Sequence, residues 1–299
     1  MVDSQYSQIS SYLLLNDLRV HYLRWGEPGR GQSVLLLHGL ASNARIWELT
    51  APILAEAGFD LIAPDLRGHG LTDRPESDLG FATYARDLLA LITTLELDRP
   101  MIVGHSWGAA MALDYAARFA IGPRAPAGIV LVDGGIIQMN ALPGVTWEEM
   151  QQRLTPPRLA GTPLEDFLAR ISRPWGNWQP DEQAQQIILG NFEIREDETI
   201  APRLRFEQHM QIVRAIWEFN TFERFTQIRC PALLLPARPS PPVSPQDQDF
   251  LTAKEAGLDK IIKLKPDTHL EWMLDSIHDV PLQYPHRLAQ LIFQFGKNM

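Results

Sequence analysis

The sequence predicts an α/β fold: a mostly parallel eight-stranded sheet with helices on both faces and a helical cap inserted into it. Two observations support this prediction. Short apolar runs alternate with amphipathic segments through most of the chain, which is the order of elements in a parallel sheet. In addition, the sequence Gly-His-Ser-Trp-Gly at residues 104–108 stands between one apolar run and an alanine-rich helical segment.

The predicted strands follow one another along the chain with turn signals between them. The first two form an antiparallel hairpin that turns at Asn16 and Asp17, since both residue types favour tight turns. The later strands are continuous apolar runs, as expected where helices cover both faces of a sheet. The predicted strands are residues 13–15, 20–23, 34–37, 59–63, 101–103, 129–132, 232–235 and 260–264.

Helices are predicted where apolar residues recur every three or four positions. Residues 81–95 have this spacing and predict a helix that packs on the sheet, and a last helix is expected from about Leu282 to Phe295. A chain of 299 residues with 45% hydrophobic content can bury the core of one large domain or of one domain with an insertion.

The alternation of strands and helices stops between residues 135 and 225. This segment has a helical pattern, is rich in aromatic residues and is divided by prolines. We predict that residues 1–134 and 226–299 form the α/β core and that residues 135–225 form the helical cap. Several aromatic side chains above one site imply an apolar pocket. The candidate pocket residues in this segment are Trp147, Trp175, Trp178 and Trp217.

Composition argues against several classes of function. The formal net charge is -9 and no basic stripe is present, so no nucleic-acid partner is expected. Residues 1–6 lack the features of a secretory signal, and no segment has the ~20 apolar residues of a membrane span, so we expect a cytoplasmic protein without a membrane partner. The single cysteine, Cys230, excludes an intrachain disulfide and a cysteine-based metal cluster, and no metal or cofactor is implied.

Residues 104–108 are typical of a nucleophile elbow, a sharp turn from a strand into a helix. Gly104 and Gly108 let the chain segments on either side of the corner pass closely. Ser106 at the corner would present its hydroxyl at the carboxyl edge of the sheet, where N–H groups of the following helix face developing negative charge. A chance match to this loose pattern is the alternative, but a strand before and a helix after favour the elbow.

With these motifs, the chain resembles the α/β-hydrolase fold family, in its cap-bearing, esterase-like branch. The resemblance covers nearly the whole chain. It rests on His38-Gly39, on Asp-Leu-Arg-Gly-His-Gly at residues 65–70, on the elbow at Ser106, and on Ile-His-Asp at residues 277–279. These motifs are specific to the fold and say little about the substrate.

The resemblance implies functional roles for several residues. Ser106 would be the nucleophile and His278 its general base, with His269 as the alternative base. The backbone amides of Leu40 and Trp107 would form the oxyanion hole. One further residue, His38, resembles the loop histidine that shapes the oxyanion site in this family, and it is also a candidate pocket residue.

The acid of the triad is where the sequence departs from the family pattern. The family usually has an aspartate after the seventh strand, but residues 236–242 contain no carboxylate. Some members place the acid at the end of the sixth strand, where Asp133 stands, and a carboxylate there could hold the tautomer of His278. Asp247 is an alternative acid. Asp133 could instead only cap a turn, in which case the protein would use a dyad without an acid or be inactive.

The resemblance implies a serine hydrolase that cleaves carboxylic esters of small to medium size with an apolar part. A serine at the corner disfavours epoxide opening and dehalogenation, which use an aspartate nucleophile. Hydrolysis of lactones, amides or C–C bonds and perhydrolysis use the same machinery and are alternatives. A ligand-binding or receptor-like homologue with vestigial turnover is the alternative from another class. The sequence leaves the substrate and the oligomeric state open.

Overall fold

The computed structural model of the chain describes residues 7–76 and 78–299 and forms a layered α/β structure. Its strands are β1 (Ile9–Leu15), β2 (Leu18–Trp25), β3 (Ser33–Leu37), β4 (Asp60–Pro64), β5 (Met101–His105), β6 (Ile129–Val132), β7 (Thr162–Pro163), β8 (Phe192–Ile194), β9 (Thr199–Pro202), β10 (Ala232–Leu235), β11 (Ala237–Arg238), β12 (His269–Leu270) and β13 (Met273–Leu274).

Helices connect most of these strands. They are α1 (Ala51–Glu56), α2 (Phe81–Thr94), α3 (Trp107–Arg118), α4 (Trp147–Leu154), α5 (Leu164–Ile171), α6 (Glu182–Leu189), α7 (Phe206–Glu218), α8 (Thr221–Gln227), α9 (Pro245–Leu264), α10 (Val280–Gln283) and α11 (Pro285–Lys297). Short 3-10 helices lie at Ala44–Trp47 and Met139–Ala141.

The central sheet has eight strands in the order β1-β2-β4-β3-β5-β6-β10-β12. Strand β2 runs antiparallel to both β1 and β4, and all other neighbours in this sheet are parallel. The predicted fold class is therefore confirmed. The predicted hairpin is present, and Asn16 and Asp17 have φ values of 50° and 61°, as a tight turn between antiparallel strands requires.

Two apolar layers cover the faces of the sheet. In β3 the fully buried Leu35 and Leu37 belong to the layer that contains α2 and α3, whereas Val34 and Leu36 belong to the layer that contains α1 and α11. Successive side chains of a strand point to opposite faces, so a continuous apolar run fills both layers at once. This explains why the buried strands are visible in the sequence as unbroken apolar runs.

One predicted strand is wrong. Residues 260–264 form the end of α9 instead, because Leu251, Leu258 and Ile261 are buried at helical spacing and continue the helix through this apolar run. A short apolar run does not by itself distinguish a strand from a buried helix. The eighth strand is β12, in which His269 pairs with Leu233 of β10.

The predicted last helix is present as two helices. Helix α10 ends at Gln283 and α11 begins at Pro285. Proline lacks the N–H group that would continue a helix but suits the first position of a new one. The division therefore follows from the proline at this point.

The segment between β6 and β10 contains α4 to α8 and a small antiparallel sheet in the order β7-β9-β8. The sequence pattern predicts helices here but not this sheet, whose strands have only two to four residues. The side chain of Gln208 on α7 donates a hydrogen bond of 2.7 Å to the carbonyl of Pro75, which ties the segment to the loop after β4.

Two expectations concern the membrane and secretion. Among the described residues, none of the helices combines the length and apolar character needed to cross a bilayer. Residues 1–6, on which the expectation of no secretory signal rests, lie outside the described residues.

Candidate active site

The predicted turn from strand to helix is present at Ser106. Strand β5 ends at His105 and α3 begins at Trp107, and the corner residue between them has φ 56° and ψ −119°. This positive φ is strained for a residue with a side chain. A Cβ atom at Gly104 would lie 2.1 Å from the carbonyl oxygen of Gly108, so only glycine fits at position 104.

A chain of hydrogen bonds joins three side chains at the carboxyl edge of the sheet. The Oγ of Ser106 lies 2.9 Å from Nε2 of His278, and Nδ1 of His278 lies 2.6 Å from Oδ2 of Asp133. A carboxylate can only accept, so the proton of the neutral imidazole is on Nδ1. Nε2 is then free to accept the proton of the Ser106 hydroxyl.

The carboxylate of Asp133 has donors on both oxygens. Its Oδ1 accepts a hydrogen bond of 2.9 Å from the backbone N–H of Ala237 and lies 2.7 Å from Nζ of Lys254. Burial of Asp133 favours its protonated form, but the hydrogen bond from His278 and the charge of Lys254 outweigh this effect and hold the pKa of Asp133 below its usual range. The carboxylate is therefore ionised at neutral pH.

The imidazole of His278 is more basic than an ordinary histidine. Partial burial alone would lower its pKa, but the hydrogen bond and the charge of Asp133 outweigh this effect, so the pKa of His278 is raised. The side chain is 55% exposed, on the side that leads to Ser106. A histidine in this setting can take a proton from the hydroxyl and hold it as an ion pair with Asp133.

His105 supports the loop of the candidate base from below. Its Nε2 donates a hydrogen bond of 2.9 Å to the backbone carbonyl of His278. Burial, together with the nearby charge of His278, lowers the pKa of His105 to about 4. His105 therefore stays neutral and acts as a donor to the backbone.

The two candidate oxyanion residues border the same cavity as Ser106. Leu40 and Trp107 both line it. Trp107 is the first residue of α3, where a backbone N–H has no carbonyl partner inside the helix. Its indole ring packs beneath the site, stacked on His69 at 5.4 Å and edge-on to Tyr84 at 4.7 Å.

The cavity has a volume of about 630 Å³. This size is typical of a site for a small molecule. Ser106, Asp133 and His278 lie in its wall, and most other lining side chains are apolar. The apolar side chains include Leu40, Phe81, Ile136, Ile137, Met139, Leu154, Trp175, Ile216, Phe219, Phe250, Leu251 and Ile277.

Of the four candidate tryptophans, only Trp175 lines the cavity. The prediction was wrong for Trp147 and Trp217, which pack against each other with ring centroids 6.1 Å apart. On α7 the neighbouring Ile216 faces the cavity, so the next residue points elsewhere. It was also wrong for Trp178, which packs edge-on against Trp175 at 5.9 Å and does not reach the cavity.

His38 also does not line the cavity, contrary to its prediction as a pocket residue. The side chain is completely buried and lies under the loop that contains Leu40. Its Nδ1 donates to the carbonyl of Gly39 at 2.8 Å, and its Nε2 accepts from the N–H of Leu66 at 2.9 Å. Both ring nitrogens are thus used to hold two loops together, and burial lowers the pKa of His38.

The alternative base and the alternative acid lie apart from the hydrogen-bond chain. His269 is on β12 with its ring 6.2 Å from that of Phe295. Asp247 lines the cavity, but it is in the first turn of α9 and bonds to the hydroxyl of Ser244 at 2.7 Å. The carboxylate that His278 contacts is Asp133.

Lys254 is a residue of the site that none of the sequence motifs indicated. It lines the cavity from α9 and contacts Asp133. The signal that could have found it is its spacing: Lys254 lies three residues after Leu251 and four before Leu258, on a helical face whose other members are buried. A lysine on such a face needs a partner. Among the described residues, no group of three or more potential ligands could hold a metal ion.

Comparisons with known proteins match this architecture. A family model of the alpha/beta hydrolase fold matches residues 32–177. An uncharacterised protein of Mycobacterium tuberculosis is 38% identical over 107 residues, which are 36% of this chain and 30% of that protein. The N-formylmaleamate deformylase of Pseudomonas putida is 28% identical over 273 residues, which are 89% of this chain and 88% of the deformylase.

Among solved structures, that of E-2-(acetamidomethylene)succinate hydrolase superposes with a TM-score of 0.75 at 23% identity, covering 97% of this chain and 99% of the other. The similarity in structure shows a shared fold, and it extends over both the sheet and the segment between β6 and β10. Fold and family match therefore agree, and the chain belongs to the α/β-hydrolase fold family.

Proposed function

We propose that the protein is a serine hydrolase of the cap-bearing, esterase-like branch, which cleaves carboxylic esters of small to medium size through an acyl-enzyme. The observation that supports this function is the hydrogen-bond chain from Asp133 through His278 to Ser106, which ends at a cavity with mainly apolar walls. A hydroxyl bonded to a base that is oriented by a carboxylate is the arrangement that activates serine as a nucleophile.

In this proposal Ser106 attacks the ester carbonyl while His278 takes the hydroxyl proton on Nε2. The imidazolium is stabilised by Asp133, and the N–H groups of Leu40 and Trp107 donate to the carbonyl oxygen as it becomes negative. The same imidazolium then gives its proton to the departing alkoxide, which leaves an acyl-enzyme. Water, activated by the neutral imidazole, attacks the acyl group and releases the acid and the free serine.

We also propose that residues 135–225 act as a cap on the α/β core. Trp175, Ile216 and Phe219 of this segment line the cavity opposite residues of the core such as Leu40 and Leu251. An ester bound there would lose most of its contact with water. Contacts from the segment would then decide which acyl and alcohol groups are accepted.

A second candidate function is the hydrolysis of an amide bond. It is favoured by the similarity to N-formylmaleamate deformylase, which extends over 89% of this chain. The same three side chains would act, but His278 would have to protonate a poorer leaving group, an amine. Hydrolysis of lactones or C–C bonds and perhydrolysis use the same machinery, and a receptor-like homologue would bind its ligand in the same cavity.

A fluorophosphonate probe and p-nitrophenyl esters test the proposal. We expect the wild-type protein to be labelled and to hydrolyse short-chain esters, and Ser106→Ala to do neither. Ser172→Ala is the matched control, because its hydroxyl bonds only to backbone carbonyls of its own helix. A folded wild-type protein that resists the probe and hydrolyses no ester would contradict the proposal, and turnover of matched anilides but not of esters would favour the amide function.

A further inference from the structure

Lys254 contacts the carboxylate of Asp133 on the side away from His278. Its Nζ lies 2.7 Å from Oδ1 of Asp133 and donates a second hydrogen bond of 3.0 Å to the carbonyl of Ala237. Only 16% of the lysine side chain is exposed, and only 2% of that of Asp133. A lysine that gives up most of its hydration needs strong contacts in return, and these two supply them.

These contacts determine which oxygen of Asp133 is available to His278. Oδ1 accepts from both the N–H of Ala237 and the Nζ of Lys254, whereas Oδ2 accepts from Nδ1 of His278. Rotation of the carboxylate by a few tens of degrees would weaken all three contacts together. The ring formed by Lys254, the backbone of Ala237 and Oδ1 therefore holds the carboxylate in one orientation.

We propose that Lys254 is a positioning residue of the triad: it holds Asp133 through Oδ1 and limits how strongly that carboxylate attracts a proton to His278. The inference rests on the proposed function, in which His278 must be neutral to act as a base. It also gives a reason for the unusual place of the acid. With the carboxylate at the end of β6, the loop after β10 supplies the N–H of Ala237 and α9 supplies the cation.

The charges around His278 make the effect of Lys254 specific. Asp133 faces the imidazole from the end of β6, and Asp279 lies beside it on its own loop; both favour the protonated ring. His105 faces it from the end of β5 and is neutral.

From α9, Asp247 lines the same cavity, and Lys254 opposes protonation of His278. Among the cavity-lining residues that the structure describes, Lys254 is the one lysine or arginine. Loss of its charge should therefore make His278 easier to protonate.

The experiment compares kcat/KM for a p-nitrophenyl ester as a function of pH in wild type, Lys254→Met and Lys254→Gln. For Lys254→Met we expect a loss of roughly tenfold on the pH plateau, because the carboxylate loses a partner. At a pH on the acidic limb we expect a further loss of roughly threefold to tenfold, since removal of a positive charge near the imidazole shifts that limb to higher pH. Lys254→Gln retains a donor and should show the same shift of the limb with a smaller plateau loss.

Lys260→Met is the matched control, because Lys260 is on the same helix and its Nζ lies 3.9 Å from the centre of the Phe222 ring, outside the site. Its profile should equal that of wild type. If the Met variant does not fold, the Gln variant decides. Unchanged acidic limbs in the folded Lys254 variants would overturn the proposal.

An NMR titration of the His278 ring in the same variants separates this inference from the proposed function. A higher titration midpoint in Lys254→Met or Lys254→Gln than in wild type supports the effect of the charge even if the protein hydrolyses no ester. An equal midpoint in wild type and in both variants contradicts it, while labelling of wild type by the fluorophosphonate would still support the serine hydrolase.

Discussion

Replacement of Asp133 by asparagine should nearly abolish ester hydrolysis, and the structure indicates why. Oδ1 of Asp133 accepts from two donors, the N–H of Ala237 and Nζ of Lys254. The asparagine would therefore place its carbonyl oxygen toward these donors and its NH₂ group toward Nδ1 of His278. Nδ1 must then be unprotonated, so the ring proton is on Nε2 and the imidazole cannot accept the proton of Ser106.

The size of the loss follows from the hydrogen bonds that would have to break. To restore the reactive tautomer, the amide must turn its NH₂ group toward Ala237 and Lys254, which leaves two buried donors without an acceptor. This costs about 3 to 6 kcal/mol, counting one neutral and one charged donor. Since about 1.4 kcal/mol corresponds to a factor of ten, kcat should fall by about 10² to 10⁴. The upper end agrees with the roughly 10⁴ seen when the acid of a serine triad is replaced by asparagine.

The assay is steady-state hydrolysis of a p-nitrophenyl ester, with circular dichroism to confirm that the variant is folded. Asp247→Asn is the control: that carboxylate lines the same cavity but bonds to Ser244, so its kcat should stay near that of wild type. If Asp133→Asn keeps more than about a tenth of the wild-type kcat, the tautomer argument is refuted. If the loss appears in Asp247→Asn instead, the acid is Asp247.

Three further predictions concern pH, the elbow and the cavity. Because its carboxylate partner raises the pKa of His278 and only the neutral ring can accept a proton, kcat/KM should fall as pH decreases through a value above the ~6.5 of an ordinary histidine, which a pH-rate profile measures. Gly134→Ala should lower the free energy of unfolding by about 1 to 3 kcal/mol in thermal or urea unfolding, since its Cβ would lie 2.0 Å from a backbone oxygen, whereas Gly80→Ala, with no atom within 4 Å, should change it by less than about 0.5 kcal/mol. Trp175→Ala should shift the ratio of kcat/KM toward esters with larger acyl groups by roughly tenfold, while Trp147→Ala, outside the cavity, should leave that ratio unchanged.

Local patterns predicted most of the fold, and their failures have a common cause. The hairpin at Asn16 and Asp17 and the strand that leads to Ser106 were correct, because turn chemistry and burial on both faces leave a mark within a few residues. The strand predicted at residues 260–264 was wrong, since a short apolar run fits a helix equally well when the helix begins far upstream. The strands of the small sheet β7-β9-β8 are too short to have a pattern of their own.

The sequence by itself determined the strained corner at Ser106, because a strand, two flanking glycines and a helix are consecutive in the chain. It also placed His278 in a loop before a helix. Only the tertiary structure decided that Asp133, 145 residues away, bonds to that histidine and that Lys254 bonds to Asp133. Such contacts depend on how helices and strands pack against one another, and the spacing of residues along a chain contains no measure of the distance between two folded elements.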